Sequence, residues 1–192
     1  MKNVIRTFLI STLMLIVSSY VHAQTTGKTD TEGSVFRWQG DGLKFETAAR
    51  PALKVLAFYM GRGFSADTAK ALVDEGCIFR SAIGSDEKTA GGKPVSVDLN
   101  DWRVIVNGKA VKIRKRNDWD VVLDRLNVKN GAARIAFKWS LFPPKQTFLV
   151  GDYNWGLLSF TLPPKTRFDL KIVWRLGGQK QTQTFKGLEC GS

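Results

Sequence analysis

Two residues, Asn107-Gly108, limit the fold more than any other part of this chain. They sit in the middle of DWRVIVNGKAVKIRK, with alternating residues on both sides. A type I′ turn needs positive φ at both central positions, and Asn-Gly supplies it at little steric cost. A two-residue turn also fixes the pairing: Val106 is expected opposite Lys109, Val104 opposite Val111 and Trp102 opposite Ile113. Because side chains alternate between faces, one face carries Trp102, Val104, Val106, Val111 and Ile113. The other carries Arg103, Ile105, Ala110, Lys112 and Arg114. The first face reads as core and the second as a largely basic solvent face.

Short runs of the same kind, separated by Gly, Pro, Asn and Asp clusters, recur from Val35 onward. Strands are predicted over 43–47, 77–82, 95–99, 147–150 and 155–162, and over 168–175 and 179–186 on either side of Gly177-Gly178. Two more follow from alternation alone. Trp119, Val121 and Leu123 oppose Asp120, Val122 and Asp124, while Ala133, Ile135, Phe137 and Trp139 oppose Arg134 and Lys138. One stretch, SADTAKALVDEG, reads instead as a helix. Ser65 caps it, Asp67 stands in its first turn, Ala66, Ala69, Leu72 and Val73 form a stripe, and Gly76 ends it. Residues 51–60 carry both signals: Pro51 and Gly61 bracket them as a helix, yet Leu53, Val55, Ala57 and Tyr59 alternate, and helix is the preferred reading.

About ten short strands imply an all-β domain of two stacked antiparallel sheets. The pattern resembles immunoglobulin-like β-sandwiches, with one or two short helical insertions near the N-terminal third. That resemblance concerns architecture and implies no activity.

The first residues, MKNVIRTFLISTLMLIVSSYVHAQ, have the make-up of a secretory signal peptide over 1–23: Lys2 and Arg6, an apolar run, and small residues before a cut after Ala23. The run of roughly ten apolar residues falls short of the ~20 that a membrane span needs. The expectation is a periplasmic or secreted protein, with a polar, flexible lead-in over 24–34 and one domain over 35–192. Cleavage takes 23 of 192 residues and leaves 169, enough for a proper core. It leaves 27 basic against 17 acidic residues, a strongly basic balance. It also removes the sole histidine, His22. Histidine is the usual general base near neutral pH and the commonest transition-metal ligand. Catalytic devices and metal sites built on it are therefore excluded, and neither a cofactor nor a metal is expected.

The two cysteines are Cys77 and Cys190. A reactive thiolate needs a cation or a helix N-terminus beside it, and Cys77 follows a predicted helix C-terminus. Two thiols are too few for the usual zinc set. An even count in an oxidising compartment favours a structural disulfide.

The best functional lead is the basic run KAVKIRKRND, with Arg103, Lys112, Arg114, Lys115 and Arg116 as candidate binding residues. Such charges also guard a sheet edge against pairing. A second candidate is a pair of aromatic loops, YMGRGF with Tyr59, Arg62 and Phe64, and GDYNWG with Tyr153, Asn154 and Trp155. Among the six tryptophans, Trp102, Trp119, Trp139 and Trp174 fall on apolar strand phases and read as core, while Trp38 and Trp155 are freer. The acidic groups around Asp98, Asp101, Asp118 and Asp120 match no calcium loop and read as turn caps. A carboxylate-based hydrolase is the one enzymatic alternative that leaves no local motif. The resulting expectation is a non-enzymatic binding or accessory module of a bacterial envelope, docking an acidic or membrane-embedded protein. The alternative is direct binding of an anionic polymer or glycan, such as lipopolysaccharide or an acidic polysaccharide. Lipid head groups are a further ligand class; nucleic acid is not expected for an exported chain.

Overall fold

A computed structural model describes residues 25–29 and 33–192, so the signal-peptide reading lies outside the described residues. The N-terminal part runs β1 (Thr25–Thr29), β2 (Gly33–Gly40), β3 (Leu43–Ala49), α1 (Ala52–Gly61), α2 (Ala66–Asp74) and β4 (Cys77–Ser85). The middle runs α3 (Glu87–Ala90), β5 (Val95–Asp98), β6 (Arg103–Val106), β7 (Lys109–Val111), α4 (Trp119–Arg125) and α5 (Gly131–Ser140). The chain ends with β8 (Lys145–Phe148), β9 (Tyr153–Phe160), β10 (Arg167–Leu176) and β11 (Gln179–Glu189).

These strands make two antiparallel sheets. The first has the order β1-β2-β3-β4-β9. In the second, β10 pairs with β11 along one edge, while β6 and β5 pair with successive stretches of β10 and carry β7 and β8 outside them. The inner faces meet through aromatic rings: Phe45 lies 5.6 Å from Trp102 and 5.2 Å from Phe185, and Phe79 lies 5.7 Å from Phe168. This ring packing, together with Leu43, Val97, Leu170 and Ile172, forms the main core.

The outer face of the first sheet is covered in part by a helical layer with a core of its own. Ile78 of β4 and Leu157 of β9 point outward and pack with Val55, Tyr59, Leu72, Trp119, Leu123 and Phe137. Two of those helices replace predicted strands. In α4 the buried residues are Trp119, Val122 and Leu123, at spacings of three and four, and Val121 is 74% exposed. In α5, Ala133 and Phe137 are buried while Ile135 and Trp139 face out. Both segments satisfy a period of two as well as one of 3.6. The helix wins because Asn130 Oδ1 accepts from Ala133 N–H at the start of α5, and because Asp120 and Asp124 pair with Arg134 and Lys138 across the two helices. Helices are thus not confined to the N-terminal third, although α1 and α2 fall where expected, the latter capped by Ser65.

The hairpin pairs Val106 with Lys109 and Val104 with Val111 around a turn with φ of 50° at Asn107 and 75° at Gly108. The ladder stops there. Trp102 and Ile113 reach the core without pairing as strand partners, and Val111 is exposed. The polar segment 24–34, expected to lie outside the fold, supplies β1 and the start of β2, and β1 covers a sheet edge that would otherwise present unpaired backbone groups. Cys77 and Cys190 form a disulfide with Cα atoms 5.4 Å apart, tying the start of β4 to the residue after β11.

Asp86, fully buried, caps α3. Burial alone would raise its pKa, but hydrogen bonds from Thr89, Gln39 and the Lys88 N–H outweigh that and hold the carboxyl below its ordinary range. No helix among the described residues is long and apolar enough to cross a membrane.

Candidate functional site

The structure does not assemble the basic run into one solvent face. Arg114 turns inward: its backbone N–H donates to Ser159 O, its guanidinium donates to Glu75 O, and its Cζ lies 4.7 Å from the Trp119 ring centroid. Burial pulls its pKa below the ordinary value, countered in part by Glu75 and Tyr59. Arg116 donates to Leu141 O and lies 5.2 Å over the Trp139 ring. Arg103 donates to the carbonyls of Asn100 and Trp102, and Lys115 Nζ donates to Asn100 Oδ1. Lys112 is exposed on the hairpin side. A register argument assigns faces correctly only while the strand lasts, and β7 ends at Val111.

Of the aromatic-loop candidates, two are core. Tyr59 is 0% exposed inside α1, ringed by Phe58, Phe64 and Phe137, and burial pushes its hydroxyl pKa well above the ordinary range. Phe64 is buried beside it. GDYNWG is not a loop throughout, because β9 begins at Tyr153. Alternation along β9 sends Tyr153 and Trp155 to the outer face of the first sheet, where they are 75% and 69% exposed.

Arg62, Asn154 and Trp155 do come together. They line a cleft of about 640 Å³ on the outer face of the first sheet, at the border of the helical layer. Arg80 of β4 and Leu157 and Trp155 of β9 contribute from the sheet, where Arg80 pairs with Leu157 and Ala82 with Trp155. Phe58 and Arg62 come from α1 and its C-cap, and Ala136, Trp139 and Ser140 from α5. Arg50, just before α1, completes the lining. Arg62 stacks 5.1 Å over Phe58, and Arg80 lies 3.7 Å from Glu46. Three guanidinium groups and no carboxylate are thus among the described residues that line the cleft.

Trp139 separates this cleft from a neighbouring hollow. In that hollow Asp120 accepts from Lys138 and Arg134, and Asp124 from Arg134. The sequence reading placed Trp139 in the core and left Trp38 freer; the structure reverses both, with Trp139 75% exposed and Trp38 buried. The missed signal lay in α5, where Ile135 and Trp139 are four apart and oppose Ala133 and Phe137.

Two of the acidic groups act in turns, Asp98 accepting from Asn100 and Asp118 from Lys115 N–H, whereas Asp101 pairs with Arg175 and Asp120, on α4, pairs with Arg134 and Lys138. Among the described residues no group of three or more His, Cys, Asp or Glu is placed to hold a metal ion. In comparisons with known proteins, the chain matches no family model, no curated protein and no solved structure.

Proposed function

We propose that this protein is an exported, non-enzymatic binding module of a bacterial envelope, which docks an anionic partner, protein or polymer, through the arginine–tryptophan cleft. The observation that carries the reading is the cleft's composition: Arg50, Arg62 and Arg80 together with the exposed indoles of Trp139 and Trp155, with no acid among the described lining residues. Arginine and aromatic residues are the side chains that dominate binding energy at interfaces, and guanidinium groups pair bidentately with carboxylates. Export rests on the signal-like N-terminal sequence and on a disulfide that an oxidising compartment would keep. The stacked sheets are the immunoglobulin-like part of the reading, and the helical layer is the addition that builds the site.

The basic hairpin is the weaker candidate, since its cations are not gathered on one solvent face: Arg114 turns inward to Glu75 O and Arg116 to Leu141 O. An anionic glycan is a second reading of the same cleft, favoured by how exposed its indoles are.

Salt separates cleft from hairpin. Binding of the mature protein to immobilised polyglutamate is expected to weaken steeply with ionic strength. The Arg62→Gln/Arg80→Gln double variant should lose about tenfold in affinity at low salt, roughly 1.4 kcal/mol, with a flatter salt dependence. Lys112→Gln should lose less than about twofold, as a rim charge does. Equal losses in both variants, or none in the double variant, would remove the cleft from the proposal.

A further inference from the structure

Resting on the reading of this cleft as an anion-docking site, we infer that its ligand is an acidic saccharide: a segment of a polymer whose sugar rings carry carboxylates. Two exposed indoles and three guanidinium groups in one cleft ask for a ligand with both flat C–H faces and anionic groups. A uronic acid unit presents both on one ring. Its axial C–H face stacks on an aromatic ring, and its carboxylate takes a guanidinium fork.

Three details favour the sugar over a peptide. First, the tryptophans stand out as platforms rather than lining a desolvated socket of the kind that anchors a partner's side chain. Trp139 is held in place, with Arg116 5.2 Å over its ring and itself tied to Leu141 O, so little ordering remains to be done on binding. Second, strand addition to the edge of β9 is obstructed. Phe142 N–H already donates to Leu157 O and Arg114 N–H to Ser159 O, two of the positions where an extended peptide would continue the ladder. Third, the polar groups suit hydroxyls. Ser140 Oγ donates to Ala136 O and keeps lone pairs to accept with. The volume of about 640 Å³ lies within the roughly 300–1,000 Å³ of pockets that bury small ligands, so the cleft takes a short stretch of the polymer at a time.

The test titrates the mature protein with tetragalacturonate, with a neutral tetrasaccharide and with tetraglutamate, reading intrinsic tryptophan fluorescence and calorimetry. Tetragalacturonate is expected to bind at least about tenfold more tightly than either of the others. Trp139→Ala and Trp155→Ala should each cost about tenfold in that affinity, on the scale of one lost stacking contact. Both indoles are exposed, so neither substitution opens the core. Tetraglutamate binding as tightly as tetragalacturonate, with the tryptophan variants unaffected, would overturn the saccharide while leaving acidic-protein docking in place. Equal binding of the neutral sugar would overturn the acidic ligand class. If none of the three bound, both the saccharide and the anion-docking cleft would fall.

Discussion

Replacing Cys77 and Cys190 together with alanine is expected to cost about 3–5 kcal/mol of stability, the range for a disulfide that closes a long loop. The two cysteines are 113 residues apart, and in the chain-entropy argument a loop near that length is worth up to ~4.7 kcal/mol before native strain is subtracted. The consequence is not confined to the last strand. Cys190 N–H donates to Thr166 O, Ala52 N–H at the start of α1 donates to Ser192 O, and Gly191 sits so close to Arg50 that an added Cβ would clash with Arg50 O. The bond therefore pins the segment against which α1 begins, and α1 delivers Phe58 and Arg62 to the cleft. Urea unfolding should show the midpoint fall with a steeper slope, because the chain without its cross-link unfolds to a more expanded state. In the native protein, thiol titration after denaturation without reductant should find no free thiol. A signal near two per chain would refute the bond.

Trp119→Ala should cost about 3–5 kcal/mol, as large aromatic truncations in a packed core do. Trp119 is fully buried and is the hub of the helical layer. Its ring meets Phe137 edge-on at 4.9 Å, its Nε1–H donates to Ser159 Oγ, and the Arg114 guanidinium lies over its face. Truncation opens a cavity, strips Ser159 of a donor and removes the surface against which Arg114 is desolvated. Trp119→Phe keeps most of the ring and loses chiefly the hydrogen bond, so about 1–2 kcal/mol is expected. If Trp119→Ala cost no more than Trp119→Phe, the helical layer would not be packed as described. Both variants belong in the binding assay too, because α5 carries Trp139 into the cleft.

The hairpin was readable because Asn-Gly demands one turn geometry, and the α2 cap because Ser65 precedes a stripe of helical period. The disulfide followed from counting two cysteines and judging the compartment. The two central helices were not readable from alternation, since Trp119-Asp120-Val121-Val122-Leu123 fits both periods, and only tertiary packing places Val122 inside and Val121 outside. The site suffered from the same ambiguity. Reading 133–139 as a strand put Trp139 beside Phe137 in the core, when the helix sends it to the opposite side. Arg114 and Arg116 were counted as surface charge because composition cannot show a guanidinium stacked on an indole and capping a carbonyl. Arg50 and Arg80 carried no local signal at all: one lies in a connection, the other on the exposed phase of a buried strand, and only the pairing of β4 with β9 brings Arg80 beside Trp155.

The most direct test of the cleft as the docking site is the set of indole N–H resonances of the isotopically labelled mature protein, followed during titration with tetragalacturonate and with tetraglutamate. Whichever acid binds, the Trp139 and Trp155 signals should shift while those of the buried Trp102, Trp119 and Trp174 stay in place. Unmoved Trp139 and Trp155 signals, with shifts confined to the backbone amides around Lys112 and Lys115, would contradict it and return the site to the hairpin.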